Sequence, residues 1–173
     1  MFQLLTMAVL AGAAALGGCS PALDWREVRV ESTPLKAMMP CKPEQETRPV
    51  TMAGRWVDLH ALVCRAEDST FALLSGDVGG AADAAAALQQ WKAASLAGLH
   101  GASVHERRFH PPGGLDLPQS VQVVAAGTRP DGSKVESQAA YFARGSQVFQ
   151  AVIYTPRLRP ELADPFFAGL RFE

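Results

Sequence analysis

From Trp25 onward, apolar and polar residues alternate in short runs broken by Gly and Pro, and one stretch in the middle changes period. Trp25-Arg-Glu-Val-Arg-Val30 alternates as a half-buried strand does, and Leu35 to Met39 is a second extended segment, stopped by Pro40 and Pro43. Thr47 to Met52 and Arg55 to Val63 read as a hairpin about a turn at Ala53-Gly54, and Thr70 to Ser75 as an apolar strand after it. Between Ala81 and Leu99 the pattern turns helical, Ala-rich with Leu88, Trp91, Leu96 and Leu99 near one face, until Gly101 ends it. Ser103 to Phe109 returns to strand, and the Pro- and Gly-rich run from His110 to Pro118 is a loop. Ser120 to Thr128, Lys134 to Arg144 and Ser146 to Tyr154 form a three-stranded meander, with turns at Pro130-Asp131-Gly132 and near Gly145. A short helix from Glu161 to Ala168, begun after Pro160, presents Phe166, Phe167 and Leu170, and Phe172 closes the chain. Trp25, Trp56, Trp91 and Phe149 each lie in an amphipathic element and are assigned to the core. The class implied is α+β: an antiparallel sheet with a long helix inserted midway and a second at the end, in one globular domain over residues 25–173.

The N-terminal segment follows another rule. Leu4 to Leu16 is almost wholly apolar or small, and as a helix it would reach about 20 Å, short of the roughly 30 Å of a hydrocarbon layer. It reads as the core of a signal peptide, although Met1-Phe2-Gln3 carries no Lys or Arg where such segments open with one. The run Leu16-Gly17-Gly18-Cys19 that closes it resembles the lipobox of bacterial lipoproteins. The resemblance implies removal of residues 1–18, lipidation of Cys19 and a short tether over residues 19–24. Several acyl chains would then hold the protein to a membrane, since each buried methylene contributes about 0.8 kcal/mol. Ser20 stands where an Asp would signal inner-membrane retention, so the implied address is the periplasmic face of an outer membrane.

Charge adds little. A formal net charge of −1 gives no electrostatic ground for nucleic acid as a partner. Cysteine adds more: with Cys19 set aside, Cys41 and Cys64 remain as an even pair in an oxidising compartment. Centring the hairpin between Met52 and Ala53 sets these two opposite each other, so a cross-strand disulfide is geometrically allowed; two buried free thiols are the alternative.

The succession Met39-Pro40-Cys41-Lys42-Pro43, a hairpin with Val50 and Val57, an extended Phe71-Ala-Leu-Leu, a helix, then Tyr141-Phe-Ala-Arg144 and Val148-Phe-Gln-Ala-Val152, resembles small proteins of the PsbP and DcrB type. That resemblance implies an α/β/α sandwich around the antiparallel sheet, with one long central helix and a short C-terminal one. It also implies an exported or membrane-attached protein that binds or assists, with no catalytic residues and no cofactor to carry over.

Candidate chemistry is sparse. His100, His105 and His110 recur every five residues with Glu106 among them, a spacing that alternates faces on a strand and rotates about 140° on a helix, so no shared metal-ligating face results. Gly101-Ala-Ser103-Val-His105 has His where a nucleophile elbow requires Gly, and Ser103, His60 and Asp58 form no recognisable hydrolytic set. Arg107 and Arg108, with His110 at the loop entry, are the candidate partner contact, since guanidinium groups there can meet a carboxylate or phosphate. The function expected is a lipid-anchored, non-catalytic binding or assembly accessory of an envelope protein. A carrier of an apolar ligand between sheet and helix is the alternative, and a small hydrolase ranks third.

Overall fold

Both residues of the first hairpin turn, Ala53 and Gly54, take positive φ, 49° and 76°, which is the two-residue geometry whose twist matches paired strands. That turn fixes the register of β3 (Glu44–Met52) against β4 (Arg55–Ala66), with Met52 opposite Arg55 and Glu44 opposite Val63. The ladder continues through β5 (Ser69–Asp77) into a seven-stranded antiparallel sheet in a computed structural model that describes residues 23–173. Its other strands are β6 (His100–Arg108), β7 (Val121–Thr128), β8 (Lys134–Arg144) and β9 (Gln147–Thr155), and the order is β3-β4-β5-β9-β8-β7-β6. The central strands β8 and β9 carry long buried runs, Ala139 to Ala143 and Val148 to Ile153, because both of their faces are covered.

One face packs under α1 (Ala81–Ala97), whose Ala84, Ala87 and Leu88 are fully buried against Val57, Leu59, Val123, Tyr141 and Val152. A polar joint ties the two layers: Gln150 Nε2 donates to Ser95 Oγ of α1 at 3.0 Å and to the Tyr141 hydroxyl at 3.1 Å. The opposite face is covered by a second, three-stranded sheet of β1 (Arg26–Arg29), β2 (Leu35–Met39) and β10 (Arg171–Phe172), together with α2 (Pro160–Ala168). Phe71, Leu73, Phe142, Phe149 and Ile153 meet Leu35, Met39, Leu162, Phe166 and Phe172 there. Phe142 and Phe149 stack with centroids 5.4 Å apart, and Phe172 sits edge-on to both.

The α/β/α sandwich with a long central helix is therefore not what forms. The described residues are 51% strand and 17% helix, in two antiparallel sheets, with α1 on an outer face and strands as the main cover of the other. The reason is length: α2 spans nine residues, about 13 Å, which cannot cover that face alone. The two N-terminal strands and the last residues of the chain pair to do so, a long-range association that alternation within each segment does not disclose.

Three smaller expectations are corrected as well. The helix ends at Ala97 with Gly98 as its cap, and His100 already belongs to β6, whose ladder carries an irregularity between His100 and Ser103. The hairpin register is one residue later than the one centred between Met52 and Ala53, because the two-residue turn falls on Ala53-Gly54, where Gly accepts the positive φ. Trp56 is outside the core, 78% exposed, because it lies on the uncovered part of a sheet face. Cys19 and the whole of residues 1–22 lie outside the described residues.

Candidate functional site

Along β4, buried Val57 and Leu59 alternate with exposed Trp56, Asp58 and His60. Farther along, the same face carries Leu62, Cys64 and Ala66 into the core beneath the small sheet. Cover therefore ends near His60, and between the bare stretch and the β1–β2 turn lies a cleft of about 450 Å³. Its floor holds Trp56, Asp58 and His60 with Ser75, Gly76 and Asp77 of β5, and its far wall is Glu31, Ser32 and Thr33. On the opposite, α1-facing side Gly76 leaves little room, since a Cβ there would lie 2.7 Å from Val57 Cγ1 and force that side chain to shift.

The wall is held in place. Thr33 Oγ1 donates to Val30 O at 3.0 Å and accepts from Leu35 N at 3.2 Å, and Gln147 Nε2 reaches across to Ser32 O at 3.1 Å. Ser32 sits at φ 60°, the left-handed region a non-glycine residue enters only when its surroundings fix it. On the floor, His60 Nδ1 is 2.9 Å from Thr47 Oγ1, so the ring is oriented by β3. Ser75, directly opposite His60 in the ladder, is only 2% exposed, and its Oγ has no hydrogen-bond partner among the described residues. A buried hydroxyl without a partner costs about 1–3 kcal/mol.

The electrostatics are one-sided. Glu31, Asp58 and Asp77 line the cleft, and among the described residues no ion pair engages them and no Lys or Arg joins the lining. A smaller hollow continues from it past Val30 to Gln45 and Glu46, and the two share Glu31 and His60. Together they form a groove that follows β4 from Trp56 to His60, four residue steps or about 13 Å, and then turns across toward Gln45 and Thr47 of β3.

No family model matches the chain, and no curated protein matches it. The groove's own chemistry is what speaks to function.

The structure does not gather Arg107, Arg108 and His110 into one patch. Arg107 and Arg108 point to opposite faces of β6, each already engaged: Arg107 Nε donates to Gln122 Oε1 at 2.7 Å, and Arg108 pairs with Asp116. His110 Nε2 lies 2.8 Å from Gly114 O within its own loop. Arg107 does border a hollow of about 350 Å³ against α2, where buried Gln122 has an unpartnered Nε2, yet both arginines there are held, Arg159 by Glu67 at 2.5 Å. His100 and His105 are exposed on β6, and no group of three or more metal-ligating side chains converges among the described residues. Ser103 lies on β6, five strands and about 24 Å from His60, so the set with Asp58 is dispersed.

Ser75 is the residue that sequence reasoning missed. The signal was present in the β4–β5 hairpin, whose two-residue turn Glu67-Asp68 sets Ala66 opposite Ser69 and thereby His60 opposite Ser75. Trp56 stands outside the core despite its place in an alternating strand, since alternation identifies two faces without saying how far the cover over either extends. Between α1 and the sheet, where a carrier would hold its ligand, the contact is closed by Ala84, Ala87 and Leu88. An apolar groove of about 220 Å³ beside Trp91 opens only at the margin.

Proposed function

We propose that this protein is a lipid-anchored accessory of the bacterial envelope, tethered through Cys19 to the periplasmic face of the outer membrane, which binds a partner protein through the β4 groove and performs no chemistry of its own. The observation that carries the binding role is the groove: an indole that is 78% exposed beside carboxylates that have no ion-pair partner among the described residues and a hydroxyl without a hydrogen-bond partner there, on a rigid sheet with a pinned far wall. Such preorganised, unsatisfied groups support recognition. A catalytic reading has weaker support, because Ser75 Oγ makes no hydrogen bond to its cross-strand partner His60, whose Nδ1 faces Thr47. The carrier reading has less room, given the closed contact beneath α1.

The anchoring half rests on the Leu16-Gly17-Gly18-Cys19 run, and none of the helices among the described residues is long and apolar enough to cross a membrane. Radiolabelled palmitate fed to cells expressing the full chain tests it. Label and outer-membrane fractionation are expected for the native protein, and both are lost in Cys19→Ala. A Cys19→Ala protein that stays labelled and membrane-bound would remove this half of the proposal.

A further inference from the structure

The groove is acidic, elongated and floored by an exposed indole, and these properties together specify a class of occupant. Glu31, Asp58 and Asp77 border its wide end without a neutralising cation in the lining, so the potential there is negative. An indole face open to solvent binds a cation by the ring quadrupole, best when flanking carboxylates share the charge. Ser75 adds a buried hydroxyl lacking a partner, the independent sign that a polar ligand group belongs there.

The length of the groove decides between a small amine and a chain. A single ammonium would fill the Trp56 end and leave the hollow by Gln45 empty, whereas an extended segment of about four residues spans the stretch of about 13 Å from Trp56 to His60. Addition of that segment to the sheet edge is disfavoured by the edge strand itself. β3 carries Glu44, Glu46, Arg48 and Pro49, and Pro49 offers no N–H to a new ladder. The segment lies across the face.

We propose that the β4 groove binds an extended basic segment of an envelope protein, with one Lys or Arg side chain against the Trp56 indole, flanked by Glu31, Asp58 and Asp77. This rests on the accessory reading above and names the chemistry of its partner. Affinity comes mainly from charge and stacking, so it falls with ionic strength as the screening length shrinks from about 10 Å at 0.1 M toward about 3 Å at 1 M.

The test uses the full lipidated protein in phosphatidylcholine nanodiscs, which carry no net charge to attract the probe. A fluorescein-labelled octapeptide alternating Lys and Ala is titrated against it, beside the Glu/Ala counterpart and spermine. Saturable binding of the Lys peptide alone is expected, weakened at least tenfold by Trp56→Ala and by the Asp58→Asn, Asp77→Asn double variant, with little loss in Trp56→Phe. Thermal melts of each variant verify folding. Absence of saturable binding, binding indifferent to Trp56→Ala, or spermine binding as tight as the peptide would each overturn the inference. If the peptide fails while a cross-linker at position 56 still captures one envelope protein, the accessory reading stands without it. If the peptide binds and no protein is captured, the inference stands and the accessory reading falls.

Discussion

Cys41, in the link between β2 of the small sheet and β3 of the large one, is bonded to Cys64 of β4, with alpha carbons 5.9 Å apart. Cys64 is on β4, one residue beyond the end of its ladder with β3, while Cys41 follows β2 of the small sheet. The bridge therefore staples the covering layer to the layer that carries the groove, where the sequence had suggested a rung within one hairpin. It closes a loop with a sequence separation of 23, for which loop-closure entropy gives about 3 kcal/mol of stabilisation. Cys41→Ser, Cys64→Ser double substitution is expected to lower the unfolding free energy by about that amount in urea melts. Peptide mapping without reductant should recover the two cysteines linked.

Trp56 behaves as a surface residue in the fold and as a central one in the site. Trp56→Ala is expected to leave stability within about 0.5 kcal/mol, and to remove most of the acrylamide-quenchable tryptophan fluorescence, because Trp25 and Trp91 are partly buried in the two cores. A melt displaced by several degrees would show that the indole packs against something after all.

Gly169 follows α2 where the chain passes over β2, and its φ of −77° needs no glycine. Space does: a Cβ there would meet Met38 Cγ at 2.6 Å, Met38 Cβ at 2.9 Å and Met38 N at 3.0 Å. Gly169→Ala is expected to cost about 1–3 kcal/mol through forced movement of α2 from the small sheet, read as a fall in Tm of about 2–4 °C for each kcal/mol.

Acid should loosen the same small sheet. Lys36 on β2 bonds Glu173 at the chain end and Glu27 on β1, the latter at 3.1 Å, while Arg171 also pairs with Glu27 and Arg29 with Glu173 at 2.8 Å. The Lys36 ammonium holds the Glu173 carboxyl below its ordinary value, and Lys36 with Arg171 does the same to Glu27. Bonds to Glu173 and then Glu27 raise Lys36. The carboxylates' contribution is thus present above their unfolded value of 4.5 and is lost as pH falls through the lower folded values. That of Lys36 is present below 10.5 and is lost as pH rises through its higher folded value. Protection factors of the β2 and β10 amides, which discount the intrinsic slowing of exchange in acid, should fall on acidification below the carboxylate range, and Lys36→Gln should flatten that dependence; equal acid sensitivity in the variant would contradict the assignment.

Local patterning disclosed most of the strands and little of their assembly. Leu35 to Met39, Lys134 to Arg144 and the C-terminal helix stand close to where alternation and the Pro and Gly breaks put them, since those signals are local. The pairing of Phe172 with Leu35 is invisible in that sense, because two residues of strand carry no period and their partner lies at the other end of the chain. The site shared this fate. Asp58 and His60 were legible as neighbours on one strand, but the bare patch they occupy exists only because the small sheet stops short of it.

The central claim is that the β4 groove holds one protein partner in the envelope. Its most direct test installs a benzophenone-bearing photo-cross-linking amino acid, which keeps an aromatic ring at the site, at position 56 of the lipidated protein in living cells and, as a control, at exposed Val104 on β6. The account predicts one near-stoichiometric cross-linked protein from position 56, joined through a Lys- or Arg-rich segment on peptide mapping, and none from position 104. Diffuse cross-linking equal at both positions, or none at position 56, would contradict it.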